Sequence, residues 1–186
     1  MTTYLLDTNA CIALINGSPK AVRRRFQRGV SRDSTMLLSS IVAFELWYGV
    51  AKSQRHEANA QRLHAFFAGP MEWTPFDEDD AHVAGVVRAE LETAGTPIGA
   101  YDVLLAGQAR RRGATLVTAN VGEFKRVAGL KWENWSTVFE QPPGIPLSDG
   151  DDQRLETNPA WARTQQPHRA RHRSLRPGPR GRCGQM

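Results

Sequence analysis

Tyr4-Leu5-Leu6-Asp7-Thr8-Asn9 is the stretch that decides the fold, because a short apolar run ends there in a carboxylate. Residues 3–6 have the character of a short buried strand, and a second apolar stretch follows at residues 10–15. A charged Asp7 at the tip of a buried strand is costly unless it has a partner or a ligand. In an open parallel sheet, ligand sites lie at this edge of the strands. Asp7 is therefore the first candidate for a ligand-binding carboxylate.

Strand and helix patterns alternate along the first 135 residues. After the strand at 3–6, we predict strands at 36–38, 71–76, 114–118 and 130–132, separated by helices at 9–15, 20–27, 40–52, 55–68, 77–94 and 101–112. Gly17 and Gly113 are placed to end two helices, while Ser18, followed by a proline at the first helical position, Ser40 and Asp77 are placed to begin three. The alternation predicts an α/β fold with a mostly parallel sheet.

The C-terminal part of the chain differs in composition from the rest. Residues 1–150 hold 16 basic and 16 acidic residues, whereas residues 151–186 hold eight arginines against three acidic residues, so the net charge of +5 lies in this last segment. The run Gln141-Pro142-Pro143-Gly144-Ile145-Pro146 cannot continue a helix or a central strand. We predict a folded domain at residues 1–140 and a disordered, Pro/Arg-rich tail at 141–186.

The two cysteines and the N-terminal residues indicate the cellular compartment in which the protein is expected. Cys11 lies in an apolar run and Cys183 in the polar tail, so a disulfide framework is not expected. Residues 1–6 lack the basic start of a signal peptide. No stretch approaches the ~18–20 apolar residues of a membrane span. These features predict a cytoplasmic protein with no membrane partner.

Three further acidic residues fall at junctions comparable to that of Asp7. Glu45 lies near the turn into the helix after strand 36–38, Asp102 at the start of helix 101–112, and Glu123 a few residues after strand 114–118. Parallel strands bring such junctions to one edge of the sheet, where four carboxylates can converge. Hard cations such as Mg²⁺ and Mn²⁺ prefer oxygen ligands, and a bound cation supports phosphodiester chemistry by activating water. The four residues predict a divalent-metal site.

The lengths of the side chains suggest how the work is divided. Asp7 and Asp102 have the short side chains suited to direct contact with a cation, whereas Glu45 and Glu123 reach further, towards a second cation or the attacking water. Polar residues near the same edge can hydrogen-bond a ligating carboxylate. These residues are Thr8, Thr118 and Asn120.

Each assignment has an ordinary structural alternative. Asp102 can be a helix N-cap, and Glu45 can pair with an arginine on a helix face. Glu123 can be a simple loop carboxylate, Asp7 can form an Asx-turn, and Thr118 can be a β-forming residue at a strand end. The metal hypothesis therefore rests on the joint placement of these residues.

Four blocks of sequence occur in a fixed order. They are Leu5-Leu6-Asp7-Thr8-Asn9, Ser40-Ile41-Val42-Ala43-Phe44-Glu45-Leu46-Trp47-Tyr48-Gly49, Pro97-Ile98-Gly99-Ala100-Tyr101-Asp102 and Leu116-Val117-Thr118-Ala119-Asn120 with Glu123-Phe124. Together these blocks resemble the PIN-domain ribonucleases and, among them, the VapC-type toxins of bacterial toxin–antitoxin pairs. The resemblance spans roughly residues 2–135. It implies a three-layer α/β sandwich in which helices flank a central, mostly parallel sheet.

The resemblance also implies an activity. It implies endonucleolytic cleavage of RNA dependent on Mg²⁺ or Mn²⁺, inhibition of translation, neutralisation by a cognate antitoxin and assembly as a homodimer. Asp7, Glu45 and Asp102 match the acidic core of the family, and we assign Glu123 as the fourth metal-binding carboxylate with Asn120 supporting it. These five residues and Thr118 form the predicted catalytic set.

Residues away from the carboxylates are assigned to the two macromolecular partners. Arginines on helix faces either hold the RNA backbone or are simply solvated, and those of the tail either bind RNA nonspecifically or belong to an inert extension. The helix arginines are Arg23, Arg24, Arg25, Arg28, Arg110, Arg111 and Arg112. Apolar residues near the site either offer a groove for an antitoxin helix or pack in the core. These residues are Trp47, Tyr48, Phe66 and Phe67.

Two other functions compete with the nuclease. A phosphatase that uses Asp7 as a covalent nucleophile would want a second aspartate two residues later, where this chain has Asn9, and no clear downstream lysine matches. A non-catalytic RNA- or protein-binding module is the other alternative, against which the intact carboxylates argue.

Overall fold

A parallel β-sheet forms the centre of the computed structural model, which describes residues 1–136. Its strands, named in chain order, are β1 (Thr3–Leu6), β2 (Thr35–Ser39), β3 (Glu72–Thr74), β4 (Thr115–Val117) and β5 (Lys131–Glu133). Their order across the sheet is β3-β2-β1-β4-β5, and every neighbouring pair is parallel.

Helices connect these strands and flank the sheet. They are α1 (Thr8–Asn16), α2 (Lys20–Ser31), α3 (Ser40–Lys52), α4 (His56–Phe67), α5 (Glu78–Thr93), α6 (Ala100–Arg111) and α7 (Val121–Phe124). The predicted α/β class, with a parallel sheet between helices, is confirmed.

The strand order creates a crevice at one edge of the sheet. On one side of β1 lie β2 and then β3, the next strands along the chain. The chain then crosses to the other side of β1, where β4 and β5 lie. Connections that leave neighbouring strands in opposite directions open a space beyond the carboxyl ends of those strands. In this fold the space lies above β1 and β4, and β1 ends immediately before Asp7.

The strands are apolar because both faces of the sheet are covered. Leu5, Leu6, Leu38 and Leu116 are fully buried. At the end of the described chain, Trp135 is also buried, and its ring meets that of Tyr4 edge to face with 5.1 Å between centroids. The compact domain therefore extends at least to residue 135.

Some helices begin and end at the residues that the sequence predicts, and others do not. Gly17 ends α1 in the left-handed conformation at φ 68°, as expected. Ser39 caps α3, since its Oγ accepts from the Ile41 amide at 3.1 Å, so the prediction of Ser40 as the cap is wrong. The hydroxyl of Ser40 accepts instead from the Phe76 amide at 3.0 Å. It therefore links α3 to the segment after β3.

Two further helix predictions need correction. We expected Ser18 to cap α2 and the helix to end near residue 27. Pro19 occupies the cap position without a side-chain hydrogen bond, and α2 continues to Ser31. The short helix α7 was not predicted, because four residues are too few to show helical periodicity.

The crossing of α5 and α6 depends on a glycine. A Cβ added to Gly107 would lie 2.4 Å from the Ala84 Cα, which is closer than real Cβ atoms approach. The backbones of the two helices are thus too close for any side chain at this position. Gly85 lies on α5, next to Ala84, and a Cβ added there would have no atom within 4 Å.

We expect Gly107→Ala to destabilise the domain by about 1–3 kcal/mol or more, because the methyl group forces two backbones apart. Gly85→Ala is the matched control, and it should stabilise the domain by up to about 1 kcal/mol through helix propensity. Urea unfolding of the two variants and the wild type measures both effects. Equal stability of the two variants would contradict this account of the helix crossing.

An ionic cluster also joins α5 to α6. Arg111 and Arg112 both bind Asp80 of α5 and Asp77, the N-cap of that helix, while Arg110 binds Glu90 at 2.6 Å. The sequence leaves two interpretations open for these three arginines, contact with the RNA backbone or simple solvation. Their pairing within the domain shows that they are not free solvated side chains, and the cluster joins the two helices; their contact with RNA stays a prediction.

None of the helices within residues 1–136 combines the length and the apolar character needed to cross a lipid bilayer. The predicted disordered tail at 141–186 lies outside the described residues.

Candidate active site

Asp7 lies at the carboxyl end of β1 and begins α1. Its Oδ1 accepts from the Ala10 amide at 2.6 Å, so the carboxylate caps the helix, and its own amide donates to the Val117 carbonyl at 3.0 Å. The side chain is only 4% exposed. Burial raises the pKa of Asp7, and the nearby charge of Glu45 adds to the rise, while hydrogen bonds from Thr118 and Ala10 oppose it. Asp7 is thus a helix N-cap, a structural role that the sequence analysis did not assign to it, and it is also a buried carboxylate beside other charges.

Thr118 links the ends of β4 and β1. It is 1% exposed, its side chain hydrogen-bonds Asp7, and its Oγ1 accepts from the Asn120 amide at 2.9 Å. The Thr118 amide donates to the Glu133 carbonyl at 2.9 Å, which ties it to β5 as well. Thr118 therefore lies directly after the end of β4 and positions Asp7.

Glu45 reaches the same edge from the second turn of α3. It accepts a short hydrogen bond at Oε2 from the hydroxyl of Thr8, the residue after Asp7. This contact fixes the glutamate against the start of α1. Glu45 therefore binds a threonine, and not the arginine of the alternative interpretation.

Asp102 and Glu123 form the second half of the site. Asp102 lies in the first turn of α6, and Glu123 lies on α7. The two carboxyl groups share a hydrogen bond, and Asn120 donates from Nδ2 to Asp102 Oδ2 at 3.3 Å. Gly99 occupies the cap position of α6 without a side-chain bond, so the interpretation of Asp102 as an N-cap is wrong.

The charges of this cluster act on one another. Burial raises the pKa of Asp102 to about 7, helped by the hydrogen bond with Glu123 and by the negative charges of Glu123, Glu45 and Asp7. A hydrogen bond from the Gly99 amide, at 2.9 Å, is the main cause that lowers the pKa of Glu123. The same contacts therefore disfavour the ionised form of Asp102 and favour the ionised form of Glu123.

All four predicted carboxylates converge at the crevice. Each of the other three contributes a repulsive charge to Asp102, which requires them to be near it. Within residues 1–136 no group of three or more acidic, histidine or cysteine side chains is arranged so that it could hold a metal ion. Mg²⁺ commonly takes only one or two protein carboxylates and keeps several waters. The mutual repulsion and the oxygen-only donor set fit such a cation.

Sequence reasoning missed the part played by Gly99. Its amide binds Glu123, and a Cβ there would lie 3.1 Å from Asp102 Oδ2 and 3.7 Å from Glu123 Oε2. A glycine between a proline turn and an acidic helix start was the available signal, because only a bare backbone lets two carboxylates approach it so closely.

The chain matches the family described as PIN domain over residues 4–130. It is 41% identical over 135 residues to the tRNA(fMet)-specific endonuclease VapC of Salmonella typhimurium, a match that covers 73% of this chain and 99% of that protein. It is 40% identical over 132 residues to Ribonuclease VapC2 of Rickettsia felis, covering 71% of this chain and 97% of that protein.

Solved structures give the same result. VapBC2 from Rickettsia felis, bound to a DNA fragment from its promoter, has a TM-score of 0.68 at 39% identity, covering 72% of this chain and 99% of the matched one. DNA-bound VapBC from Salmonella typhimurium has a TM-score of 0.66 at 41% identity, covering 73% and 99%.

Proposed function

We propose that this chain, which belongs to the PIN domain family, is a divalent-metal-dependent endoribonuclease that acts as the toxin of a toxin–antitoxin pair. The observation that carries the proposal is the convergence of Asp7, Glu45, Asp102 and Glu123 beyond β1 and β4. The relatives named ribonuclease or endonuclease match nearly their whole length to this chain, which supports the same activity here.

The carboxylates divide into two pairs with different jobs. Asp7 and Asp102 would hold the cation, and it would supply an activated water and neutralise charge on the phosphate. Glu45, fixed by Thr8, borders the space in which the scissile phosphate would lie. Glu123, which accepts a hydrogen bond from the Gly99 amide, would orient the attacking water at this edge. Both Mg²⁺ and Mn²⁺ suit this set of oxygen donors.

The neighbouring polar groups position these carboxylates. Thr118 holds Asp7, Asn120 holds Asp102, and the Gly99 amide holds Glu123. Such contacts orient a ligating carboxylate and typically change metal affinity or activity by about 10–100-fold when they are removed. Fixed acceptors at one strand edge require no reorganisation during the reaction.

We take transfer RNA as the first substrate to test, because a relative at 41% identity is named a tRNA(fMet)-specific endonuclease. The purified protein is incubated with Mg²⁺ or Mn²⁺ and total RNA, and the new 5′ ends are mapped by sequencing. We expect discrete cuts in a small set of RNAs and none in EDTA. Cuts that persist in EDTA, or no cleavage with either cation, would overturn the proposal.

The phosphatase alternative fits the geometry poorly. A nucleophilic Asp7 needs an exposed oxygen, but this side chain is 4% exposed, and it caps α1 and contacts Thr118. Asn9, where the second aspartate would be required, is on the exposed side of α1. A cation held between two carboxylates makes better use of this arrangement.

The antitoxin has a candidate docking groove. A cavity of about 360 Å³ lies between α1, α2, α4 and the segment before β3. Its apolar walls include Leu14, Ile15, Phe26, Phe66 and Met71, and Arg23 and Arg62 add positive charge. We propose that it takes an amphipathic segment of the antitoxin that carries acidic residues. The solved VapBC complexes support such a partner.

The predicted antitoxin contacts are only partly consistent with this groove. Phe66 lines the cavity, but Trp47 and Phe67 pack against each other with 6.1 Å between ring centroids, and Tyr48 lies next to Phe44. The Phe66 and Phe67 rings are 6.0 Å apart, so Phe66, Phe67 and Trp47 form one row of rings, of which only Phe66 lines the cavity. The homodimer implied by the resemblance stays a prediction, which light scattering of the purified chain tests.

Filling the groove should free the toxin from its antitoxin. Ala65 is an exposed residue of α4 that lines the cavity, so Ala65→Trp blocks the groove without disturbing the core. We expect about 100-fold weaker antitoxin binding, the scale of a lost interface centre, with RNA cleavage by the free toxin unchanged. Ala89→Trp, at an exposed position of α5 outside the groove, is the control. Calorimetry with the cognate antitoxin measures both, and equal binding would place the antitoxin elsewhere.

Metal affinity should rise with pH. Because the pKa of Asp102 is about 7, a cation must displace its proton below that pH. Each pH unit below 7 should therefore weaken Mn²⁺ binding by up to about tenfold, with a plateau above 7. Calorimetry with Mn²⁺ across this range tests the prediction, and Asp102→Asn should weaken binding and make its dependence on pH smaller. Constant affinity across the range would contradict it.

A further inference from the structure

Arg126 is an exposed arginine on the rim of the crevice, two residues after the end of α7. Its Nη1 donates to the Pro97 carbonyl at 3.2 Å. Pro97 belongs to the turn whose Gly99 amide donates to Glu123 Oε2 at 2.9 Å. The backbone amide of Arg126 also donates to the Glu123 carbonyl at 3.0 Å. The fold therefore anchors a guanidinium group beside the half of the site that contains Asp102 and Glu123.

The positive charge of Arg126 is not paired with a carboxylate within residues 1–136. It lies close enough to Glu123 to lower the pKa of that carboxyl group, but the two side chains form no ion pair. A guanidinium group has five N–H donors, and the contact with Pro97 uses one of them. An anchored arginine of this kind is suited to bind a planar or tetrahedral oxyanion.

Phosphate is the oxyanion that the proposed reaction brings to this rim. The cleaved phosphate would lie at the cation held by Asp7 and Asp102, and the RNA strand carries its next phosphate one nucleotide further along. We propose that Arg126 binds the phosphate next to the cleaved one. Such a contact fixes where the strand lies relative to the cation without reading a base. This inference rests on the proposed nuclease function and adds to it a residue that holds the substrate.

Two other roles compete with phosphate binding. A purely structural Arg126 would only hold the Pro97 turn, but a neutral donor can make that single exposed bond, so this role has no use for the charge. An acidic residue of the antitoxin is the other possible partner. The groove proposed for the antitoxin lies between α1, α2 and α4, and Arg126 does not line it. The observations therefore favour RNA.

Binding of a short, fluorescent, single-stranded RNA in EDTA tests the contact without cleavage. Arg126→Met keeps the length of the side chain but removes its charge, and it should weaken binding by about tenfold, as loss of a charge-assisted hydrogen bond does. The slope of log affinity against log salt concentration should become shallower by about 0.7, the value for one phosphate of a single strand. Lys125→Met removes the same charge at the adjacent exposed residue and should bind like the wild type.

Cleavage kinetics separate substrate binding from a structural role. Loss of a contact that is equally strong before and during the reaction raises KM and leaves kcat unchanged. We expect this pattern for Arg126→Met, with KM about tenfold higher, whereas a loosened Glu123 would lower kcat. Arg126→Gln keeps a donor for the Pro97 carbonyl without the charge, so it should show the same rise in KM.

Neutral phosphate analogues locate the contact. One methylphosphonate linkage, moved stepwise along a 2′-O-methyl RNA with the cleavage sequence, should weaken wild-type binding at the neighbouring phosphate and cause no further loss there in Arg126→Met. Lower kcat at unchanged KM, equal losses in Lys125→Met, or additive losses at every linkage would overturn the proposal. Weaker antitoxin binding with unaltered RNA binding would also overturn it, in favour of the antitoxin. Arg126-dependent RNA binding without any metal-dependent cleavage would instead refute the proposed function.

Discussion

Asp102→Asn is expected to abolish RNA cleavage and, at the same time, to make the metal-free protein harder to unfold above about pH 7. The two effects have one origin. The Asp102 carboxyl group is partly buried, and it lies near the negative charges of Glu123, Glu45 and Asp7. Both the burial and these charges disfavour its ionised form. A cation needs that ionised form, whereas the empty fold is destabilised by it.

The loss of activity should be large. A bound cation supplies several kcal/mol of stabilisation to the charge that builds on phosphate, and each 1.36 kcal/mol changes a rate tenfold. Replacing one of its two short carboxylate ligands should therefore lower kcat/KM by roughly 10³-fold. Asparagine keeps the shape of the side chain and its neighbours Asn120 and Gly99, so a folding defect does not explain such a loss.

The sign of the stability change follows from proton linkage. The pKa of Asp102 is about 7 in the folded protein against 3.8 for the ordinary side chain, so the folded state binds the proton more tightly between these values. Stability then falls as pH rises through this window, and above it the folded state carries the full repulsion. Asparagine removes that repulsion. Thermal unfolding in EDTA should show a higher Tm for the variant above pH 7 and a smaller difference at acidic pH.

A matched substitution separates this effect from a general change in charge. Glu57→Gln removes a carboxylate from the exposed first turn of α4, away from the crevice. It should leave cleavage and the pH dependence of Tm unchanged. An Asp102→Asn protein that cleaves RNA at the wild-type rate, or that is less stable than the wild type at every pH, would show that the crevice is not a charge-strained metal site.

The sheet and the positions of the carboxylates were predictable because they depend on local rules. An apolar run that ends in Asp7 marks a strand edge, and Gly17 ends the following helix through its left-handed conformation. Strand–helix alternation then places Glu45 and Asp102 at the same edge as Asp7. Each of these inferences needs only neighbouring residues and the geometry of parallel sheets.

What could not be predicted depends on contacts between distant segments. Arg111 and Arg112 look like a free basic stretch in the sequence, but they are paired with acids more than 30 residues earlier. The amide of Gly99 meets Glu123 across 24 residues. In the sequence, the adjacent Ser39 and Ser40 are equally good helix caps. In the structure, the Ser39 hydroxyl faces the Ile41 amide of α3, and the Ser40 hydroxyl faces the Phe76 amide. Only the packed fold distinguishes such alternatives.

Asp80→Ala is expected to cause a large loss of stability without touching the crevice. Asp80 is fully buried at 0% exposure, yet it is charged. It accepts from the Arg111 guanidinium, from Gln108 Nε2 at 2.9 Å and from Arg112 at 3.2 Å, and it forms a capping box with Asp77. Burial alone would raise the pKa of Asp80, but these hydrogen bonds hold it below its ordinary value. The carboxylate is therefore the common acceptor that joins α5 to α6.

Removal of that acceptor leaves several donors without a partner. Breaking a buried ion pair from one side costs about 3–5 kcal/mol. The side chains of Arg111 and Arg112 are 26% and 25% exposed, so water can solvate them in part, and we expect the lower end of this range, about 3 kcal/mol. Urea unfolding measures the loss as a lower midpoint with an unchanged slope.

Two further measurements test whether the buried charge of Asp80 causes the loss of stability: its dependence on pH and a control at an exposed ion pair. Because the folded pKa of Asp80 is lowered, its stabilisation is present above the ordinary value of 3.8 and is lost as pH falls through the folded pKa. The difference between wild type and Asp80→Ala should therefore narrow only below pH 3.8. Glu92→Ala removes the exposed Arg88–Glu92 pair on the same helix, and its midpoint should stay near that of the wild type. If the two variants unfolded at the same urea concentration, burial of Asp80 would not be what holds α5 and α6 together.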